Sequence, residues 1–136
     1  MTFDISPDKT LGALQQEFIA AFPGLKLAFF SKPHHAFEGS AAKLLVQDAK
    51  LPLGQLAASL QAASIEIGHE TPTWQVEEMF EERFGLHVQV FRRSGNLWLE
   101  TSVTDSLTLA EQQEKARNSD QVHQQFVDPL DYREMD

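Results

Sequence analysis

Residues 22–32 read FPGLKLAFFSK and residues 84–93 read FGLHVQVFRR. In the first stretch Leu25, Leu27 and Phe29 fall on one side of an extended chain, while Lys26, Ala28 and Phe30 fall on the other. In the second, Leu86, Val88 and Val90 match the first side, and His87, Gln89 and Phe91 match the second. The offset between matched positions is 61 residues throughout. Two strands so alike predict a chain built twice from one plan.

The flanking sequence extends the match. Phe3-Asp4-Ile5 and Ile65-Glu66-Ile67 both alternate as strands do. Leu11, Leu14, Phe18 and Phe22 follow at helical spacing, and Val76, Phe80 and Phe84 repeat that stripe, with Glu77, Glu78, Glu81 and Glu82 expected to face water. Thr71-Pro72 suits a helix start, with the hydroxyl as cap and proline at the first helical position. Each helix ends at a glycine turn, Pro23-Gly24 or Gly85, and enters the strand quoted above. Ser94-Gly95-Asn96 then predicts a hairpin into Leu97-Trp98-Leu99-Glu100. A turn centred on Ser94-Gly95 sets Phe91 opposite Trp98, and one centred a residue later sets Arg93 opposite Trp98. Half one has a longer connection, KPHHAFEGSAA, before Lys43-Leu44-Leu45-Val46. Each half closes on a helix: one near Leu51-Pro52-Leu53, the other at Thr108-Leu109-Ala110-Glu111, a capping box.

The predicted fold class is α+β: a two-layer sandwich built from a tandem β-α-β-β-α duplication, mostly antiparallel sheet with helices on one face. The domain is expected to cover 1–114, with half one at about 1–62 and half two at about 63–114. Residues 115–136 read as a polar acidic C-terminal tail whose apolar positions are Phe126, Val127, Leu130 and Tyr132.

The string SGNLWLET (94–101) followed by LTLAEQ (107–112) resembles small uncharacterised bacterial α/β proteins of unknown function. Their amino-terminal part also carries a TLGxLQxEF-type helix, here TLGALQQEF at 10–18. The resemblance covers nearly the whole chain apart from the tail. It implies one compact domain and carries over no activity.

Composition narrows the function classes. The chain of 136 residues has a net charge of −9, split as −1 over residues 1–68 and −8 over 69–136. Nucleic-acid binders show the opposite balance, so nucleic acid is not an expected partner. No apolar run spans a bilayer and the first residues lack a signal-like apolar core, so the expected home is cytoplasmic, with no membrane partner. Without cysteine there is no disulfide, thiolate metal site or thiol nucleophile.

No GxSxG elbow, Walker A loop or GxGxxG occurs, and no cofactor is expected. The best lead is the second sheet side, where Phe30, His87, Phe91, Arg93 and Trp98 form a candidate binding face. Aromatic rings on an open sheet side are costly to leave wet, so something is expected to cover them. The candidates are the chain's own tail through Phe126 and Tyr132, a second copy of the protein, or an external ligand. Single-stranded RNA stacks on such faces, but only Lys26, Lys32, Arg92 and Arg93 lie nearby. The leading expectation is a non-enzymatic interaction or assembly module, a homo-oligomer or partner of another protein. The alternative is a small metal-dependent enzyme or metal-binding protein using His34, His35 and Glu38 with Lys32. Against it, adjacent histidines on an extended segment point opposite ways.

Overall fold

A computed structural model describes residues 1–32 and 44–125, the last six by backbone only. Half one runs β1 (Thr2–Ile5), α1 (Leu11–Ala21), β2 (Leu25–Phe30), β3 (Leu45–Val46) and α2 (Leu53–Leu56). Half two runs β4 (Ala63–Glu66), α3 (Thr73–Phe84), β5 (His87–Ser94), β6 (Leu97–Glu100) and α4 (Leu109–Gln125). The order β-α-β-β-α therefore occurs twice.

The strands pair across the halves. β1 and β4 form a two-stranded antiparallel sheet, and β3-β2-β5-β6 form a four-stranded antiparallel sheet. At the middle of the β2–β5 ladder Ala28 lies opposite Gln89, two positions 61 residues apart. The side that carries Leu25, Leu27, Phe29, Val88 and Val90 faces one core cluster shared with Leu11, Leu14 and Phe18 of α1, Val76, Phe80 and Phe84 of α3, and Leu109 of α4. Phe3, Ile5, Ile65 and Ile67 join it from the small sheet. The rings of Phe3, Phe18 and Phe22 stand 5.1 to 6.4 Å apart by centroid. The α+β class thus rests on one apolar layer between helices and strands.

The helix starts are tied together in the same way in each half. In half one Leu11 N–H donates to Leu51 C=O, Gly12 to Ala49, Leu53 to Lys9 and Gly54 to Pro7. In half two Thr73 N–H donates to Leu107 C=O, Trp74 to Asp105, Leu109 to Thr71 and Ala110 to His69. Each clip supplies acceptors for amides that a helix leaves unmet in its first turn. This explains a departure from the sequence reading. Thr71 does not cap α3: Pro72 occupies the cap position without a side-chain bond, and the Thr71 hydroxyl accepts instead from Gly68 N–H. At α4 the capping box forms as read, with Glu111 N–H on Thr108 Oγ1 and Thr108 N–H on Glu111 Oε1.

Two sheet edges are closed by side chains. Where β3 stops, Gln15 Nε2 of α1 donates to Leu27 C=O at 2.8 Å. Where β6 stops, Glu77 Oε2 of α3 accepts from Val90 N–H at 3.0 Å and from Gln89 Nε2 at 3.1 Å. Glu77 is buried, not water-facing as its neighbours suggested. It sits three residues before Phe80 and four after Thr73, on the stripe that enters the interior.

The boundary placed at 114/115 falls inside α4, which continues to Gln125. Ala116 is buried, and Ser119 Oγ lies 2.7 Å from Ser94 Oγ. Small side chains there let a polar helix approach β5 closely. Phe126, Val127, Leu130 and Tyr132 lie outside the described residues.

Candidate functional site

The hairpin register sets the geometry of the second sheet side. Ser94 pairs with Leu97 and Arg93 with Trp98, so the central turn residues are Gly95 and Asn96. Gly95 has φ 60°, and a hairpin turn of this length needs a positive φ at its first central residue, which glycine adopts more readily than serine. Phe91 accordingly faces Glu100, with Lys26 as its other neighbour.

Four rows cross this side: Phe30 with His87, Ala28 with Gln89, Lys26 with Phe91 and Glu100, and Arg93 with Trp98. The rows differ sharply in exposure. Phe30 is 3% exposed, Ala28 is buried and Gln89 is fully enclosed. Phe91 and Trp98 are half-buried, and Arg93 is exposed. Phe30 lies four residues along β2 from Lys26, roughly 13 Å away, so it does not share a patch with Phe91 and Trp98. His87 is tied to α3, its Nδ1 2.9 Å from Glu81 Oε1. The structure therefore brings together Phe91, Arg93 and Trp98 of the expected set and leaves Phe30 and His87 at the far end.

Lys26 is the addition that sequence reading undervalued. Its ammonium lies 4.6 Å from the Trp98 ring centroid and 5.8 Å from that of Phe91, reaching across one strand to the next. Burial pushes its pKa below the ordinary lysine value. Among the described residues no carboxylate forms an ion pair with it. A cation over aromatic faces contributes about 0.5 to 2 kcal/mol, rising with desolvation. The hint in the sequence was the strand itself: Lys26 is the one charge in LKLAFF, and the β2–β5 ladder sets it opposite Phe91.

A second polar group lies on the helix-facing side and is enclosed. Arg92, expected as a flanking surface positive, is 5% exposed, and its Nη1 donates to Gln112 Oε1 at 2.9 Å. Gln112 Nε2 donates to Thr104 C=O at 2.9 Å and approaches Thr104 Oγ1 and Thr73 Oγ1. Thr73 Oγ1 donates to Leu107 C=O, and Thr101 Oγ1 to Val90 C=O. The clips align these positions with apolar ones in half one: Thr73 with Leu11, Gln112 with Leu56 and Asp105 with Ala49. Sealed from solvent, this network fixes α4 on β5 rather than offering a surface to substrate.

A groove of about 280 Å³ runs along α3 past Trp74, Glu78, Met79 and Glu82. The Glu78 pKa is raised by its hydrogen bond to Glu82 and by that group's charge. His34, His35 and Glu38 lie outside the described residues. Among the described residues no three His, Asp or Glu side chains gather as a metal site. No helix among them is long and apolar enough to cross a membrane. Searches of protein-family models, curated proteins and solved structures return no significant match to this chain.

Proposed function

We propose that this protein is a non-enzymatic assembly module that associates with itself through the open end of the four-stranded sheet, where Lys26, Phe91, Arg93 and Trp98 meet. The observation that carries this reading is the Lys26 ammonium, partly desolvated over two half-buried rings. Such a patch is poorly served by water and well served by a surface bringing apolar area and negative charge. The same reading includes a tandem duplication, supported by the repeated element order, the paired helix-start clips and the 61-residue register of Ala28 and Gln89. A cytoplasmic home accords with the absence of cysteine from the chain.

Light scattering of the wild-type chain and Trp98→Glu tests the assembly. The expected result is a wild-type dimer that Trp98→Glu converts to a folded monomer. Finding both forms monomeric across the micromolar range, with equal melting temperatures, removes the assembly reading.

A further inference from the structure

The outer side of α3 carries a surface that the sheet-end assembly does not use. Val76, Phe80 and Phe84 are buried, and Trp74 lies about 200° round the helix from Val76, so its ring is left outside and is 44% exposed. The helix-start clip holds it there, with Trp74 N–H on Asp105 C=O and Thr73 N–H on Leu107 C=O. Among the described residues the groove of about 280 Å³ is lined by Trp74, Gln75, Glu78, Met79, Glu82 and Arg83. These residues form two rows, Trp74-Glu78-Glu82 and Gln75-Met79-Arg83, each stepping about 6 Å per position. Met79 between them is half-buried and packs against the core.

Trp74 and Met79 make the first part of this groove apolar, and the next turns are acidic. Glu78 and Glu82 are exposed and hydrogen-bonded to each other, and that contact, together with the Glu82 charge, raises the Glu78 pKa. Like charges four residues apart oppose each other on a helix. Among the described residues neither carboxylate is ion-paired, whereas neighbouring Glu81 lies 2.9 Å from His87 Nδ1. A cation placed between Glu78 and Glu82 relieves their repulsion, and the exposed indole one turn away offers it apolar area and a ring.

From this face we infer that α3 docks an amphipathic basic helix of a partner protein, an apolar anchor meeting Trp74 and Met79 and two lysine or arginine side chains, one turn apart, meeting Glu78 and Glu82. Helices recognised in grooves present their anchors at this spacing. Charge complementarity selects the partner: residues 69–136 carry a net −8, which draws a basic segment in from a distance. A second copy fits less well, because two such faces related by a two-fold axis bring four carboxylates against two guanidiniums. Nucleic acid is repelled by the same charges. Arg83 ends the acidic stretch, so two cations are accommodated and a third is not.

The probe is a fluorescein-labelled synthetic peptide of alanine, leucine and lysine, patterned as a helix with its lysines four apart beside a leucine stripe, and followed by fluorescence anisotropy. A peptide of the same composition in scrambled order is the control. The patterned peptide should bind about ten-fold or more tightly than the scrambled one, and Trp74→Ala or the pair Glu78→Gln and Glu82→Gln should each weaken it by about ten-fold or more. The glutamate pair lies on the exposed side and keeps the test decisive if Trp74→Ala folds poorly. Glu70→Gln with Glu114→Gln removes equal charge from exposed positions off the groove and should leave binding unchanged. Trp98→Glu should also leave it unchanged, which separates this docking from the sheet-end assembly. No binding, equal binding of the scrambled peptide, or equal weakening by the Glu70 and Glu114 pair overturns the inference. A wild-type oligomer that Trp74→Ala dissolves overturns it too, and assigns the groove to a second copy.

Discussion

Replacing Gln112 by leucine tests whether the enclosed polar network of half two holds the fold. Gln112 is fully buried, and its side chain connects Arg92 Nη1 at 2.9 Å with Thr104 C=O at 2.9 Å. Leucine fills similar space and offers neither donor nor acceptor. The buried guanidinium loses a charged hydrogen bond, at about 1.5 to 3 kcal/mol, and the Thr104 carbonyl loses a neutral one, at about 1 kcal/mol. Burying the added apolar surface returns about 1 kcal/mol. The net expectation is a loss of about 1.5 to 3 kcal/mol. At roughly 3 to 4 °C per kcal/mol for a chain of this size, the melting temperature should fall by about 5 to 12 °C. Urea titration followed by tryptophan fluorescence measures it, with an unchanged m-value as the check on two-state behaviour. Gln113→Leu is the internal control. Gln113 Nε2 donates to Pro23 C=O at 3.0 Å and its Oε1 lies 3.3 Å from His69 Nδ1, with no guanidinium involved. It should lose only about 1 kcal/mol. Equal losses from the two glutamines, or a Gln112→Leu loss below about 1 kcal/mol, refute the claim that the lost hydrogen bond to Arg92 dominates.

Gly12→Ala should destabilise the protein by about 1 kcal/mol or more although alanine is the better helix former, because its Cβ would stand 2.8 Å from Ala49 Cβ and 3.0 Å from Ala49 C=O; a gain in chemical-denaturation midpoint would contradict the close approach of the clip. Phe18→Ala removes a fully buried ring of the Phe3–Phe18–Phe22 group and should cost about 3 to 5 kcal/mol by the same titration. The Glu78–Glu82 contact raises the folded pKa of Glu78, so its contribution is present below the unfolded value and lost as pH rises through the folded one. Glu82→Gln should therefore raise the melting temperature at neutral pH relative to wild type and leave it unchanged near pH 3; curves that run parallel across that range would count against the contact.

Most of the elements were legible because their causes are local. Thr108 and Glu111 stand three apart and satisfy each other's amides, so the α4 start is written in four letters. Leu25, Leu27 and Phe29 alternate, and all three are enclosed. The pairing of β1 with β4 as a separate small sheet depends on residues some sixty apart and carries no local mark. Glu77 and Arg92 were read as surface groups because charge usually means water, and Gln112 drew no reading. Their burial depends on acceptors and donors from other elements, such as Val90 N–H for Glu77 and Thr104 C=O for Gln112. At the candidate face the aromatic residues were visible in the sequence, and their grouping was not. The hairpin had two plausible turns, and only the one at Gly95-Asn96 brings Trp98 beside Arg93 with Lys26 above it. The far reach of α4 was hidden for a similar reason, since the small residues Ala116 and Ser119 that seat it look unremarkable among polar neighbours.

Neither half owns a complete sheet. The first strand of each half lies against the first strand of the other, and the central ladder joins Leu25–Phe30 to the stretch His87–Arg92. A single sixty-residue block would therefore carry two raw flanks and half an interior, and would be solvent-worthy only in company. Cleaving the peptide between the blocks should yield fragments that are disordered apart and that reconstitute each other on mixing. The covalent joint then serves to hold at fixed stoichiometry a handshake that the strands already encode.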